Sequence, residues 1–436
     1  MKQGKLGSYL LALLLLAVSF TLHAEEPVHV SISPGALPDP EEKLKFVVIV
    51  SRHGVRSPTG KADQLNQYST QPWPAWSVPP GYLTDHGTKL MTLFGAYDRE
   101  LLAKQGVLAA EGCDDADRIT ILADSDERTR ETGKALAAGL MPGCKLETHA
   151  LAEGTPDPLF HPLLADEGHA DKQIATAALA GRIGNNPSGL VEAYRPQLQS
   201  LEAVLVGNGA SPKMSLFDIP SSIAPGKGDH LVDLKSPLGT AATMTENLLL
   251  EYTEGMPQVG WGRVDERKLR ELLQLHTASA DLERRTSYIA RAQSAAMLGR
   301  IVDSMRQAIN QKPVSGALGR ASDRLLILVG HDTNLTNVSG ALDLSWLIDG
   351  RRDDTPPGGA LIFELWQSNT PLKYKVRLFY TAQTLDQMRN ATPLTLVNAP
   401  ERVPVFIPGC SIADASCDWK AFESVIQQTI SSEPVR

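Results

Sequence analysis

Three short polar segments combine the arginine, histidine and aspartate side chains that phosphate chemistry requires. They read SRHGVRSP at residues 51–58, DSDERTR at residues 124–130 and GHDTN at residues 330–334. Guanidinium groups present paired donors to phosphate oxygens, an imidazole can attack phosphorus through a free ring nitrogen, and a carboxylic acid can protonate a leaving oxygen. Because this scheme requires neither a metal ion nor another cofactor, the segments indicate metal-independent phosphoryl transfer.

Each polar segment directly follows a short run of valine, isoleucine and leucine, which is the pattern of a buried strand. The runs span residues 46–50, 119–123 and 325–329. Ligands of open α/β sheets bind outside the carboxyl ends of the strands. We therefore expect the three segments to converge on one site.

Helical patterns near these strands predict the fold class. Amphipathic patterns at residues 89–102 and 132–140 alternate with the strand runs. This alternation favours an α/β fold with a parallel-type central sheet and helices on both of its faces.

Each segment taken alone also has a structural interpretation. A lone histidine is more often structural than catalytic, Arg128 and Arg130 could be solvated charges at the start of a helix, and Asp332 could only cap the following helix. The coincidence of all three segments at strand ends favours the functional interpretation.

The middle of the chain has a different pattern and predicts a second domain. Residues 156–312 are mostly helical in pattern, with loops rich in glycine, proline and serine and almost no continuous strand signal. We expect this helical domain to interrupt an α/β catalytic domain formed by residues 25–155 and 313–436, whose last strands lie near 360–365 and 375–380.

The N-terminus has the pattern of a secretory signal peptide. Residues 1–24 begin with lysines, continue with an apolar run from Leu10 to Phe20 and end on a small-residue cleavage site at Ala24. A membrane anchor is the alternative, but the run is shorter than the roughly 20 residues that cross a bilayer. We expect cleavage near Ala24 and a mature protein in the periplasm, outside the membrane.

The composition of the chain restricts the kinds of partner that the protein can bind. The 436 residues are 42% hydrophobic, enough for a large core, and the formal net charge is −8. General nucleic-acid binding requires a basic face, so we expect no nucleic-acid partner. An anionic ligand must instead bind to a local cluster of arginine and lysine.

The four cysteines suit an exported protein. Pairing of neighbours in sequence, Cys113 with Cys144 and Cys410 with Cys417, is the simplest of the three possible connectivities. A zinc site is the alternative, but no CxxC spacing is present. We expect two disulfides and no metal.

The segments RHGVRSP at 52–58 and HD at 331–332 resemble the RHGxRxP and HD motifs of the histidine acid phosphatases. GWGR at 260–263, NL at 334–335 with GAL at 340–342, and TPPGG at 355–359 are similar to the bacterial branch that contains periplasmic phytase and glucose-1-phosphatase. The resemblance implies a phosphoglycerate-mutase-like fold with a helical insertion. It also implies that His53 becomes a phosphohistidine, that Asp332 protonates the leaving oxygen and later helps to activate water, and that the phosphate is held by Arg52, Arg56, Arg128 and His331.

Other positions that the resemblance covers bear on the substrate. It assigns Thr59, Glu246 and His276 to the substrate pocket, although a carboxylate and an imidazole on amphipathic helices can also be solvated. Thr333 is similar to the phytases of the branch. The family's lysine after Thr59 is Gly60 here, with Lys61 one place later, and a basic residue of the helical domain is replaced by Gln293, close to Arg291.

These observations predict a monomeric phosphomonoesterase that acts on a small phosphorylated substrate, phytate in the first instance. The alternatives are a narrower sugar-phosphate phosphatase and, outside the enzymes, a non-catalytic receptor for phosphate anions. His53 and Asp332 argue against the receptor, because binding alone requires neither a nucleophile nor a proton donor.

Overall fold

The computed structural model describes residues 42–60, 62–165, 170–208, 213–369 and 372–431, all of which belong to one compact unit. The predicted signal peptide lies outside the described residues. Among the helices that are described, none is long and apolar enough to cross a membrane.

The strands and helices follow one another as the sequence patterns indicate, with more short strands than expected. The strands are β1 (Glu42–Arg52), β2 (Ile119–Ala123), β3 (Thr148–His149), β4 (Ser222–Pro225), β5 (Val232–Lys235), β6 (Leu325–Gly330), β7 (Leu347–Ile348), β8 (Arg351–Arg352), β9 (Ala360–Asn369), β10 (Leu372–Ala382), β11 (Glu401–Pro404) and β12 (Ser416–Asp418). The helices are α1 (Ala62–Leu65), α2 (Asp85–Lys104), α3 (Glu127–Leu140), α4 (Lys172–Arg182), α5 (Gly189–Ala193), α6 (Arg195–Val206), α7 (Pro237–Thr253), α8 (Glu266–Arg284), α9 (Ser287–Asn310), α10 (Asp332–Ala341), α11 (Leu385–Asn390) and α12 (Trp419–Ser431).

The central sheet has eight strands and is mixed. Seven of them lie in the order β11-β10-β9-β1-β6-β2-β3, and β12 pairs with β10. The strands β1, β6, β2 and β3 are parallel, whereas β9, β10, β11 and β12 pair antiparallel. The predicted α/β class is confirmed, and the parallel arrangement applies to one half of the sheet.

Helices cover both faces of this sheet, as predicted. On one face, Val48 and Val50 belong to a core that includes side chains of α9, α10 and α12. On the other face, Val47 and Ile49 belong to a core shared with α2 and α3. Because alternate side chains of a strand point to opposite faces, burial of both faces explains the continuous hydrophobic runs that mark these strands in the sequence.

The helices α4 to α9 form most of residues 172–310, and a separate apolar core joins them. Leu198, Leu248 and Leu272 of this core are fully buried. The same core also contains Trp73 and Leu90, which lie outside 156–312. The division into two domains at these boundaries stays a prediction.

Two disulfides connect cysteines that are close in sequence. Cys113 is bonded to Cys144, and Cys410 is bonded to Cys417. The predicted pairing is confirmed.

Candidate active site

The three polar segments meet at the carboxyl ends of three neighbouring parallel strands. The amide of His53, after β1, donates to the carbonyl of Gly330 at 2.9 Å, and the amide of Asp124, after β2, donates to the carbonyl of Val329 at 3.0 Å. Since β6 lies between β1 and β2, its end contacts both neighbours. The backbone of the sheet therefore positions the side chains that follow each strand.

A pocket of about 370 Å³ opens at this edge of the sheet. Its lining includes six of the predicted site residues: His53, Arg56, Thr59, Arg128, His331 and Asp332. The other three predicted residues, Arg52, Glu246 and His276, are buried and are not among the lining residues.

The His53 side chain is almost fully buried, and the structure defines its tautomer. Its Nδ1 lies 2.8 Å from the carbonyl oxygen of Gly54. Because a carbonyl only accepts, Nδ1 carries the proton and Nε2 keeps a free lone pair. Burial, followed by the nearby charges of Arg128, Arg52 and Arg56, holds the pKa of His53 well below its usual range. The imidazole therefore stays neutral in acidic solution.

Replacing Arg128 by methionine is expected to raise the pKa of His53, because one of the cations that disfavour imidazolium is removed. Titration of the histidine ring protons by NMR measures this shift. Arg130→Met is the matched control, since Arg130 lies in the same helix and pairs with Glu153 at 3.4 Å. An unchanged His53 pKa in Arg128→Met would show that the arginine does not act on the imidazole.

Glu246 connects the buried cations beneath the pocket. Its Oε1 accepts from the guanidinium of Arg52 and lies 3.5 Å from Nη2 of Arg56, while its Oε2 lies 3.6 Å from Nε2 of His276. Burial alone would raise the pKa of Glu246, but Arg52, His276 and Arg56 outweigh burial and lower it. An ionised Glu246 thus orients Arg52, whose other terminal nitrogen donates to the carbonyl of Thr355.

Asp124 holds two histidines near His53. Its Oδ2 is 2.6 Å from Nε2 of His331 and 3.0 Å from Nε2 of His161. Nδ1 of His331 faces Nη2 of Arg128 at 3.4 Å, which suits a neutral His331 that accepts from the guanidinium. The ring of His331 lies 5.6 Å from that of His53.

Ligand atoms of Asp124, His161 and His331 lie within 4.8 Å of one another, close enough to hold a metal ion. Burial alone would lower the pKa of His161, but hydrogen bonds to Asp124 and Asp229 raise it to about 10. A metal ion requires the deprotonated imidazole. The protonation of His161 and the nearby Arg128 therefore favour a hydrogen-bonded cluster over a metal centre.

Asp332 begins α10 and forms an ion pair across the pocket. Its Oδ2 accepts from Nη1 of Arg284, at the end of α8. Burial alone would raise the pKa of Asp332, but Arg284, Arg52 and His276 outweigh burial and hold it well below its usual range. The carboxylate is therefore ionised in the structure.

A match to a family profile shows which family the chain belongs to. The profile described as the histidine phosphatase superfamily (branch 2) matches residues 43–381, a range that contains all three polar segments. The chain belongs to this superfamily.

Individual relatives agree with the profile. The phytase AppA of Escherichia coli K12 is 38% identical to this phosphatase over 403 residues, which cover 89% of this chain and 93% of the relative. The glucose-1-phosphatase of Salmonella typhimurium LT2 is 29% identical over 393 residues, or 88% and 92% of the two chains. A solved Hafnia alvei phytase in complex with myo-inositol hexakis sulphate has a TM-score of 0.82 at 35% identity and covers 90% of this chain and 98% of its own.

The structure of the phosphatase also places the positions that depart from the family pattern. Gln293 lines the pocket, and its amide donates to the carbonyl of Asp229. Arg291 lies at a different cavity, beside Pro408 and Ala421. Lys61 lies outside the described residues.

Two cationic side chains of the phosphatase pocket escaped the sequence analysis. His161 and Arg284 both line it. Neither lies in a polar segment at a strand end, the feature from which the site residues were predicted. The last-turn position of Arg284 in α8 resembles an ordinary interaction with the helix dipole, so its sequence context did not distinguish it.

Proposed function

We propose that the chain is a phosphomonoesterase that transfers phosphate from a monoester first to His53 and then to water. The observation that carries the proposal is a neutral His53 with a free Nε2, facing a pocket that also contains Arg56, Arg128 and Asp332. This arrangement combines a nucleophile, two guanidinium groups that can bind an anion, and a carboxyl group in one cavity.

In the first step, Nε2 of His53 attacks phosphorus. The new P–N bond forms while the bond to the ester oxygen breaks, and Asp332 protonates the departing alkoxide. The hydrogen bond from Nδ1 to the carbonyl of Gly54 stabilises the positive charge that develops on the ring. The phosphate oxygens are bound by Arg56 and Arg128, whose fixed donors stabilise the charge in the transition state. The family motif adds Arg52, which shares Glu246 with Arg56, and His331, which donates to phosphate once its Nδ1 carries a proton.

In the second step, water attacks the phosphohistidine and the P–N bond breaks. Asp332, now a carboxylate, accepts a proton from this water. Inorganic phosphate forms, and His53 returns to its neutral state.

In this proposal, Glu246 and His276 support the arginines that bind phosphate. Glu246 contacts both Arg52 and Arg56, so it positions guanidinium groups and does not touch the substrate. His276 lies beside the second oxygen of Glu246 and contributes to the same network.

The protonation states that the mechanism requires of His53 and Asp332 predict activity at acidic pH. The first step requires neutral His53, so kcat/KM falls when the pH drops through the low pKa of His53 in the free enzyme. It also requires protonated Asp332, so kcat falls when the pH rises through the Asp332 pKa in the substrate complex. The negative charge of bound phosphate offsets the cations and raises that pKa, which places both limits at acidic pH.

We propose phytate as the substrate, in line with the names of the 38% identical relative and of the solved Hafnia alvei enzyme. Thr333, the residue that favours the phytase group in the sequence, lines the pocket. The second candidate substrate is a sugar phosphate such as glucose 1-phosphate. Gln293 favours it, because a neutral amide replaces a basic residue that could bind a second phosphate.

Phosphate release by the purified protein tests these proposals. The substrates are phytate, glucose 1-phosphate and an aryl phosphate, each assayed from acidic to neutral pH with and without a chelator. We expect release at acidic pH, higher kcat/KM for phytate than for glucose 1-phosphate, and no effect of the chelator. Loss of activity on chelation would contradict the mechanism, and a preference for glucose 1-phosphate would support the second candidate.

We further propose that the enzyme acts in the periplasm as a monomer after removal of residues 1–24. The support is the signal-peptide pattern of the sequence. N-terminal sequencing of the exported protein and its mass in solution test these points.

A further inference from the structure

We propose that Arg284 recognises a second phosphate group of the substrate, next to the phosphate that is transferred. On binding, Arg284 releases its ion-pair partner Asp332 and pairs with this second phosphate instead. The inference rests on the proposed function. Two observations motivate it: Arg284 lines the same pocket as His53, and its guanidinium contacts the carboxyl group assigned as proton donor.

The position of Arg284 fits a group on the leaving side of the substrate. The proton donor must contact the oxygen that departs, so the leaving group lies against Asp332. Arg284 contacts Asp332 directly through Nη1. A substituent on the carbon next to the ester carbon therefore lies within reach of this guanidinium.

The pocket offers few other cations for such a group. Apart from the residues assigned to the transferred phosphate, the basic side chains of its described lining are Arg284, His161 and His230, and the lining also contains Asp229 and Glu283. Both ring nitrogens of His161 already face carboxylates, Asp124 at 3.0 Å and Asp229 at 3.2 Å. Gln293 is neutral. Arg284 is thus the guanidinium best placed to replace the basic residue that the family pattern has at 293.

The ion pair is accessible enough to exchange. The side chain of Arg284 is 31% exposed and that of Asp332 is 16% exposed. One terminal nitrogen, Nη1, makes the bond to Asp332, and the described residues supply no hydrogen-bond partner for Nη2. A phosphate dianion offers more charge than one carboxylate and accepts two parallel hydrogen bonds from a guanidinium.

Exchange would also affect the proton donor. The ionisable groups that act on Asp332 come from several elements: Arg52 at the end of β1, Arg56 in the segment that follows β1, Glu246 on α7, His276 and Arg284 on α8, and Tyr380 on β10. Arg284 is the foremost cation that lowers the pKa of Asp332. When a second phosphate takes this guanidinium, the pKa of Asp332 rises and the carboxyl group can take up a proton.

The test compares ligands with many anionic groups and with one. Calorimetric titration with myo-inositol hexakissulphate and with inorganic sulphate gives both affinities for the wild type, Arg284→Gln, Arg284→Lys and the control Arg182→Gln. Arg182 pairs with Asp281 on α8 at 2.6 Å, so its loss removes an ion pair outside the pocket. We expect Arg284→Gln to weaken hexakissulphate binding about tenfold or more relative to sulphate. Arg284→Lys should recover part of the loss, and Arg182→Gln should show none.

Turnover supplies a second readout. Phytate and glycerol 2-phosphate both release a secondary alkoxide, but they differ in the number of phosphates. In Arg284→Gln, the ratio of kcat/KM for phytate to that for glycerol 2-phosphate should fall about tenfold or more. The decline of kcat for glycerol 2-phosphate at rising pH should move to higher pH, because Asp332 loses its foremost cation.

The outcomes separate this inference from the proposed function. If Arg284→Gln weakens hexakissulphate and sulphate equally, or neither of them, Arg284 has no specific role and the inference is overturned. If the wild type releases no phosphate from either substrate, the proposed function fails, and the binding ratio still decides the role of Arg284.

Discussion

His53→Ala is expected to abolish turnover while the protein remains folded. Loss of a catalytic nucleophile typically lowers kcat by roughly 10⁴-fold or more. Arg52, Arg56 and Arg128 remain, so the variant should still bind inorganic phosphate in a calorimetric titration. Circular dichroism and thermal melting check the fold, and release of phosphate from phytate measures turnover.

A labelling experiment identifies the nucleophile directly. Wild-type enzyme quenched in acid during turnover of labelled substrate should carry phosphate on histidine. His149→Ala is the matched control, because His149 is exposed on β3 and lies outside the pocket of His53. Label on serine or aspartate, or normal turnover of His53→Ala, would show that His53 is not the phosphate acceptor.

Asp332→Asn is expected to slow the first step strongly for phytate and much less for nitrophenyl phosphate. The change preserves shape but removes the transferable proton, and general acid catalysis typically contributes about 10²–10⁴-fold. An inositol alkoxide is a poor leaving group, whereas nitrophenolate departs readily without a proton. The slowing should therefore differ between the two substrates by roughly tenfold or more.

Rapid-quench measurement of phosphoenzyme in the first turnover is the decisive assay. Steady-state rates mix the two steps, because in the proposed mechanism Asp332 also activates water in the second step. Comparison with Arg284→Gln controls for the ion pair, since that variant also breaks the contact but retains the carboxyl group. Equal slowing of the first step on both substrates would mean that Asp332 positions phosphate, and another group such as His331 would then be the proton donor.

The central strands were predictable because strands that are buried on both faces have continuous hydrophobic sequences. The run at 119–123 coincides with β2, and the run at 325–329 lacks only the final Gly330 of β6. The strands β9 and β10 were predicted near 360–365 and 375–380, but their antiparallel pairing was not, although β9 ends at Asn369 and β10 begins at Leu372. Such a short connection excludes a parallel pair, which requires a crossover of about a dozen residues.

The choice between Arg291 and Gln293 was not predictable in the same way. Two residues along a helix differ by about 200° around its axis, so only one of this pair can face the pocket. The amphipathic pattern of α9 did not decide between them. Packing of α9 places Gln293 at the pocket and Arg291 at another cavity.

The sequence by itself determined the candidate reaction centre, because His53, Arg128 and Asp332 each follow a strand, and neighbouring parallel strands bring their carboxyl ends to one edge. Only the tertiary structure decided the surroundings of that centre. Arg284 meets Asp332 across 48 positions of sequence, and His161 meets Asp124 across 37. These contacts depend on how α8 and the loop after β3 pack against the sheet. Since many side chains distant in sequence contribute to that packing, no local pattern encodes it.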